Sequence, residues 1–211
     1  RLQIRLTNAL RTGQQTATGQ VLEASAGLVP CLELLVPHWQ RALDEASAFN
    51  AGAGPRRRGV GIGCMWYGIG NTGLSNPSTM RVTLDRSGKL TLFNGAVDIG
   101  QGSTTIMAQI CADGLGLPVA QISQIVGDTD LTKDAGKTSA SRQTFVSGKA
   151  AQLAGEDLRQ KILRLANAGP ESEIELSGAV LIVRDGGERH EIDLSAFSAG
   201  GDGTVLEGQG T

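Results

Sequence analysis

Residues 98–105 (DIGQGSTT) combine residue types that suit contact with a small ligand. They lie between residues 89–97, whose alternation predicts a strand, and residues 106–117, whose spacing predicts a helix. Glycines at such a junction let the backbone approach a ligand, and the helix N-terminus offers unpaired N–H groups with a partial positive charge. The same residues also fit an ordinary tight turn capped by Ser103 or Thr104, so the local pattern leaves both interpretations open.

A second group of small donors occurs in residues 138–143 (TSASRQ), directly before the helix predicted over residues 145–166. Ser139 and Ser141 offer hydroxyls, and Arg142 offers a planar fork of donors that suits a phosphate. Two such junctions in one chain predict a clamp that holds one extended anionic ligand from two sides. The alternative is a pair of ordinary helix N-caps.

The composition of the 211 residues is that of a globular protein, with 40% hydrophobic and 19% charged residues. The net charge of −2 and the aromatic content of 3% argue against a nucleic-acid partner. Cys31, Cys64 and Cys111 are widely spaced and form no CxxC pair, which predicts reduced thiols rather than a zinc site or a disulfide framework. No apolar run of about 20 residues is present, so no membrane span is predicted.

The elements that must position the two groups are read from periodicity. Helices are predicted over residues 1–10, 28–50, 103–117 and 145–166, with Pro37 expected to break or kink the second. Strands are predicted over residues 59–70, in a hairpin of 79–85 with 89–97, within 119–126, and in a hairpin of 174–176 with 180–183. This order favours an α+β fold, in which a mixed sheet with hairpins packs against helices, over a doubly wound sheet.

From residue 58 to residue 165 the sequence resembles the molybdenum-binding large subunit of the xanthine oxidase family of molybdenum hydroxylases. The segments that carry the resemblance follow the family's order: VDIGQG at 97–102, LGLP at 115–118, DTD at 128–130, SASRQ at 139–143 and SGKA at 147–150. Residues 11–20 (RTGQQTATGQ) resemble the family's stretch before this domain. The sequence SRQ at 141–143 makes the resemblance closer to bacterial aldehyde and heterocycle hydroxylases than to animal enzymes.

The resemblance implies a molybdopterin cofactor with molybdenum, in the cytosine dinucleotide form that is frequent in bacteria. By position, Gln101 would hydrogen-bond an oxo ligand or the dithiolene end, and Gly100 and Gly102 would lie beside the cofactor. Gly68 and Gly70 fall where the family has a Gly-x-Gly contact, and no residue of the chain is expected to bind the metal directly. The pterin and phosphates would be held by Ser139, Ala140, Ser141, Arg142 and Gln143.

The activity that the resemblance implies is hydroxylation of an aldehyde or an N-heterocycle with water as the oxygen source. Expected partners are the rest of the large subunit, an iron–sulfur subunit with 2Fe–2S clusters, and a flavin (FAD) or cytochrome (haem) subunit. The family's general-base Glu belongs to a late Gly-x-Gly-Glu motif that this sequence lacks. The chain is therefore expected to be a fragment that is inactive alone, located in the cytoplasm or alternatively in the periplasm.

The expected organisation has three parts: a helical connector at 1–55, a molybdopterin-binding α+β core at 56–166, and a truncated β-rich extension at 167–211. One alternative is an actin-like ATP-binding protein, whose phosphate loop is similar to VDIGQGSTT at 97–105. In that class the strand turns back into another strand, whereas the residues after Thr105 have helical spacing. The other alternative is a non-catalytic structural module.

Overall fold

The computed structural model of the protein describes residues 1–68 and 75–211, which divide into two compact units at residues 66 and 67. The first unit contains α1 (Leu2–Asn8) and α2 (Leu28–Asn50). α2 continues through Pro37, where a break or kink was predicted. One missing N–H removes only one hydrogen bond of a 23-residue helix, and buried Leu32 and Ala46 anchor α2 on both sides of the proline.

The strand predicted over residues 59–70 is not formed in its described part. Residues 59–68 have no regular secondary structure, and Met65, Trp66 and Tyr67 expose 83%, 65% and 54% of their surface. Apolar residues with glycine spacers satisfy the pattern of a strand, but a strand also needs a pairing partner and a face to bury.

The second unit is built on a mixed sheet of four strands in the order β3–β2–β1–β7. The predicted first hairpin is confirmed: β1 and β2 pair antiparallel, with Val82 opposite Leu92. β3 runs parallel to β2, and β7 runs antiparallel to β1 along its other edge. The bounds of the strands are β1 Met80–Asp85, β2 Leu90–Asn94, β3 Ile122–Val126 and β7 Thr204–Gly210.

Two helices cover this sheet and lead away from the two groups of small donors. α3 (Ser103–Leu115) connects the parallel strands β2 and β3. α4 (Gly148–Ala166) follows a π-helical turn at Gln143–Ser147 and packs against α3, β7 and β1. The core between them is aliphatic, as the low aromatic content predicts, and includes Met80, Val82, Leu84, Leu92, Met107, Leu115, Leu158 and Ile162.

Glycines set the distances between these layers. A Cβ at Gly155 of α4 would lie 2.4 Å from the carbonyl oxygen of Cys111 on α3. A Cβ at Gly208 of β7 would lie 2.2 Å from the carbonyl oxygen of Ala154 on α4. The backbones of α3, α4 and β7 therefore approach more closely than any residue with a side chain would allow.

A second sheet is an antiparallel meander of β4 (Glu173–Ser177), β5 (Val180–Asp185) and β6 (Glu188–Asp193). Its buried side chains join the same core, and β7 then returns to the first sheet. The predicted α+β class, with a mixed sheet and hairpins packed against helices, is confirmed. In residues 1–68 and 75–211, no helix has both the length and the apolar character needed to cross a membrane.

Candidate functional site

The first group of donors, residues 98–105, lies with Val97 at the carboxyl ends of the parallel strands β2 and β3; we call residues 97–105 the amide corner. The N–H of Gly127, after β3, donates to the carbonyl of Asn94, the last residue of β2, at 3.2 Å. The buried side chain of Asn94 donates to Gln124 at 3.3 Å, and Gln124 donates to the carbonyl of Thr104 at 3.0 Å. These contacts fix the start of α3 at the edge where open sheets with parallel strands bind ligands.

Asp98 organises the backbone of the amide corner. Its carboxylate accepts N–H groups from Gly100 at 2.8 Å, Gly102 at 3.3 Å and Thr104 at 3.0 Å. Gly100 (φ 100°) and Gly102 (φ 84°) have left-handed conformations, which glycine adopts without strain. The N–H groups of Thr104 and then Gly100 hold the pKa of Asp98 below its ordinary value, because they stabilise the charged form.

This arrangement corrects two expectations about the start of α3. The cap is neither Ser103 nor Thr104, because the acceptor for the first-turn N–H of Thr104 is the Asp98 carboxylate. One of the first-turn N–H groups expected to be open to a ligand, that of Thr104, is occupied by the same carboxylate that accepts from Gly100 and Gly102 before the helix. The signal in the sequence was an Asp two residues before a glycine, a pattern typical of Asx turns.

Gln101 is exposed, but its amide is folded over the turn. Its Oε1 accepts the N–H of Ile99 at 2.6 Å. Its Nε2 donates to Ser103 Oγ at 3.0 Å and to the carbonyl of Val97 at 3.3 Å. Both amide hydrogens are thus in use, so a hydrogen bond from Gln101 to a ligand must share one of them with Val97 or Ser103.

The second group of donors, residues 138–143, has an unusual backbone; we call it the serine corner. Ala140 (φ 51°) and Ser141 (φ 56°) are both left-handed, which is uncommon for residues with a Cβ. Arg142 then returns to the right-handed region. Within the described part of the chain, the N–H groups of Ala140 and Ser141 donate to no other residue. Successive open N–H groups in a turn form a concavity that binds anions.

Arg142 differs from its expected role as a phosphate ligand, because its guanidinium is completely buried. Nη1 donates to the carbonyls of Ala135 at 2.5 Å and Lys137 at 3.2 Å. Nη2 donates to the carbonyls of Pro77 at 3.0 Å and Asn76 at 3.3 Å. The side chain therefore joins two backbone segments beneath the serine corner, and no part of Arg142 contributes to its surface.

One polar atom of this buried side chain has no partner among the described residues: Nε of Arg142. Burial lowers the pKa of the guanidinium from its ordinary value, and the carboxylate of Asp134 acts in the opposite direction. A buried cation with an unsatisfied donor is costly, so an acceptor or an anion that binds close to Nε would be stabilised.

The two corners meet at a single carbonyl group, that of Val97. It accepts the Thr138 hydroxyl at 2.7 Å in addition to the amide of Gln101. Thr138 in turn accepts Nε2 of the buried Gln143 at 3.0 Å. The structure thus brings together the predicted residues of both corners.

The predicted glycine contact is described only in part. A Cβ at Gly68 would lie 3.7 Å from the Cβ of Ala140, which places Gly68 beside the serine corner. Gly70 lies outside the described residues. The helix α3 directly after the amide corner is the element that the actin-like alternative lacks at this position.

The chemistry available at the two corners is that of neutral donors and backbone N–H groups. In residues 1–68 and 75–211, no three His, Cys, Asp or Glu side chains are grouped to hold a metal ion. Burial raises the pKa of the Cys111 thiol to about 12, so this residue is not a nucleophile. The arrangement suits a polar ligand that carries its own anionic groups.

Comparisons with known proteins identify the family to which the chain is similar. A family model described as the molybdopterin cofactor-binding domain matches residues 35–210. The putative xanthine dehydrogenase molybdenum-binding subunit of Escherichia coli (strain K12) is 33% identical over 168 residues, which are 77% of this chain and 22% of that protein. The 6-hydroxypseudooxynicotine dehydrogenase complex subunit gamma of Paenarthrobacter nicotinovorans is 30% identical over 178 residues, 80% of this chain and 22% of that protein.

A solved structure gives the same result for the fold. Aldehyde oxidoreductase from Desulfovibrio gigas superposes with a TM-score of 0.59 and 25% identity, over 99% of this chain and 20% of that one. The chain therefore spans about a fifth of the length of the relatives that it matches.

Proposed function

Because the chain belongs to the molybdopterin cofactor-binding domain family, we propose that its two corners hold a molybdopterin cofactor with molybdenum. In the complete protein the chain would be the cofactor-binding part of a molybdenum hydroxylase that acts on an aldehyde or an N-heterocycle. The observation that carries the proposal is the shared Val97 carbonyl, which holds Gln101 of one corner and Thr138 of the other.

The donors of the serine corner fit the phosphates of such a cofactor. The left-handed turn presents four hydrogen-bond donors that can bind phosphate oxygens. They are the open N–H groups of Ala140 and Ser141 and the hydroxyls of Ser139 and Ser141. The buried charge of Arg142, with its unpartnered Nε, adds positive potential behind them. Gln143 is buried and donates to Thr138, so it does not contact the phosphates directly.

The amide corner fits the pterin and metal end. Asp98 already neutralises the N-terminus of α3, so this corner suits a ligand part that needs neutral donors. Gln101, with Gly100 and Gly102, would lie beside it, and Gly68 would line the adjoining side. Gly70 is proposed as a further cofactor contact from the sequence resemblance alone. When bound, the cofactor supplies the redox centre at which a substrate carbon is hydroxylated, with water as the oxygen source.

Several finer points belong to the same proposal. We assign the cofactor to the cytosine dinucleotide form. The partners are the rest of the large subunit, an iron–sulfur subunit with 2Fe–2S clusters, and a subunit with FAD or haem. The name of the Paenarthrobacter relative, a subunit of a dehydrogenase complex, supports an assembly of this type.

The general base would come from another part of the protein. We place the protein in the cytoplasm, with the periplasm as the alternative, since Cys31, Cys64 and Cys111 are free thiols. The organisation into 1–55, 56–166 and 167–211 is retained as a proposal about the complete subunit. The boundary at residue 166 does not separate two sheets, because β7, in the segment 167–211, pairs with β1 of the core segment.

The test is the cofactor content of the complete subunit. We expect molybdenum near one atom per protein and release of cytosine nucleotide on acid treatment. The double variant Ser139→Ala/Ser141→Ala, which removes two donors to a charged acceptor, should lower molybdenum occupancy about tenfold when cofactor is limiting. Ser123→Ala on β3 is the matched control, and it should leave occupancy unchanged.

Two results would contradict the proposal. One is equal molybdenum content in the double variant and the control. The other is binding of a nucleoside triphosphate with magnesium in place of molybdenum, which would favour the actin-like alternative.

A further inference from the structure

A continuous chain of side-chain hydrogen bonds runs from the core to the amide corner. The hydroxyl of the buried Ser78 donates to Ser147 Oγ at 3.0 Å, and the Ser147 hydroxyl donates to Oε1 of Gln143. Nε2 of Gln143 donates to Thr138 Oγ1 at 3.0 Å, and the Thr138 hydroxyl donates to the Val97 carbonyl at 2.7 Å. Each side chain donates to the next one nearer the surface, so all the hydrogen bonds of this series run in the same direction.

Thr138 is the residue at which this series of hydrogen bonds crosses from the serine corner to the amide corner. Its hydroxyl has a single hydrogen, which goes to Val97, and its lone pair accepts the amide of Gln143. The direction of the Gln143 amide is thereby fixed, since its oxygen already accepts from Ser147. At the other end, the Val97 carbonyl has both acceptor positions filled, by Thr138 and by Gln101.

We infer that Thr138 is a positioning residue, which holds the Val97 carbonyl in place and through it orients the Gln101 amide. The Val97 carbonyl accepts from Thr138 at 2.7 Å and from Gln101 at 3.3 Å, so the shorter contact, which fixes its direction, is the one with Thr138. The inference rests on the proposed function only for its effect on catalysis. The effect on the Gln101 amide is a property of the protein itself.

Two substitutions distinguish the effect of the Thr138 hydroxyl from the effect of the side chain's shape. Thr138→Val keeps the β-branched form and removes the hydrogen bonds to Val97 and Gln143. Thr138→Ser keeps the hydroxyl and removes only a methyl group. Thr91→Val is the matched control, since it removes a threonine hydroxyl near the start of β2, at the other end of the strand from the corner.

The first measurement is side-chain amide relaxation by NMR on the 211-residue chain without cofactor. In the unmodified chain, Thr138→Ser and Thr91→Val, the NH₂ group of Gln101 should have an order parameter of roughly 0.8, as in a rigid group. In Thr138→Val it should fall below about 0.6. A mobile Gln101 amide in the unmodified chain, an unchanged amide in Thr138→Val, or an unfolded Thr138→Val chain would each overturn the inference.

The second measurement uses the complete enzyme and records kcat, KM and molybdenum content together. Thr138→Val should lower kcat about tenfold, the effect of about 1.4 kcal/mol on a barrier, while KM and molybdenum content stay within about twofold. Thr138→Ser should restore kcat. A parallel loss of molybdenum and kcat would assign Thr138 to cofactor retention instead, which overturns the inference and leaves the proposed function standing. An unmodified enzyme without molybdenum would refute the proposed function but not the NMR result.

Discussion

Oδ2 of Asp98 lies 3.0 Å from the backbone nitrogen of Thr104, which donates to it across the first turn of α3. The positive end of α3 therefore has its counter-charge within the protein. The serine corner has no such internal carboxylate on its open Ala140 and Ser141 N–H groups, within the residues that the structure describes. A ligand with anionic and neutral ends is consequently expected to place its charge at the serine corner.

The first prediction concerns Asp98 and pH. Because its N–H partners lower the pKa of Asp98 in the folded state from the ordinary 3.8, its contribution to stability is complete above that value. The contribution is lost as the pH falls through the lower folded-state pKa. Asp98→Ala should therefore melt at a lower temperature than the unmodified chain at pH 7, and the difference should vanish in strong acid. Thermal unfolding from pH 7 to pH 2 measures this, with Asp130→Ala, in an exposed loop, as the matched control.

The second prediction concerns Arg142 as a structural residue. Arg142→Met keeps most of the volume but leaves carbonyls such as those of Pro77 and Ala135 without their donors. The free energy of unfolding should fall by about 2–4 kcal/mol, from several hydrogen bonds of about 1 kcal/mol each. Urea denaturation gives the value. Arg164→Met, at the exposed end of α4, should change it by less than about 0.5 kcal/mol. Equal effects of the two substitutions would refute the role given to Arg142.

The third prediction concerns the contact between α3 and α4. Gly155→Ala places a Cβ 2.4 Å from the backbone oxygen of Cys111, and a helix cannot move one carbonyl alone. Alanine has a helix propensity more favourable than that of glycine by up to about 1 kcal/mol. The steric overlap should cost more than this, so the free energy of unfolding should fall by about 1–3 kcal/mol net. Gly201→Ala, where a Cβ meets no atom within 4 Å, serves as the control. A Gly155→Ala protein at least as stable as the unmodified one would show that the helices separate freely.

The fourth prediction concerns Gln101 in the complete enzyme. Gln101→Ala removes a neutral donor from the proposed metal end and should lower kcat about 100-fold, as the loss of one preorganised donor does in other enzymes. The fold should be intact, because Gln101 is exposed. Steady-state kinetics and circular dichroism measure the two effects, with Gln160→Ala on α4 as the control. Activity near that of the unmodified enzyme would exclude the proposed role.

The fifth prediction concerns thiol reactivity. Cys111 is fully buried with a pKa of about 12, whereas Cys31 and Cys64 are exposed. At pH 8, two thiols of the native chain should react rapidly with Ellman's reagent, and the third should react only after denaturation. The Cys111→Ala variant should lose only the slow reaction. Three fast thiols in the unmodified native chain would contradict the buried position of Cys111.

The sequence predicts the elements of the core because their pattern and their packing agree. The apolar residues at alternate positions of β1 and β2 and the apolar stripe of α4 are buried in the same core. Residues 59–68 also look like a strand, but no pattern within them indicates whether a neighbouring strand exists. The pairing of β7 with β1 is likewise set by contacts that are distant in sequence.

The sequence predicted that the two corners lie together, but not the direction of their side chains. The order of the two corners placed them together, and the Thr138 bond to Val97 joins them. The burial of Arg142 was not predictable, since a guanidinium suits a phosphate and a group of backbone carbonyls equally well. The role of Asp98 was not predicted either, because its carboxylate binds three N–H groups of the turn that follows it rather than a ligand.

The position of β7 has a consequence for biosynthesis. β1 (Met80–Asp85) leaves the ribosome well before β7 (Thr204–Gly210), and the two share one ladder. With roughly 120 residues between them and translation at about 5–20 residues per second, β1 waits about 6–24 s for its neighbour. During that interval the groove on α4 that Gly208 and Gly210 later fill is uncovered in the nascent polypeptide. Chaperone protection of newly made protein should therefore be most needed between the synthesis of α4 and that of β7.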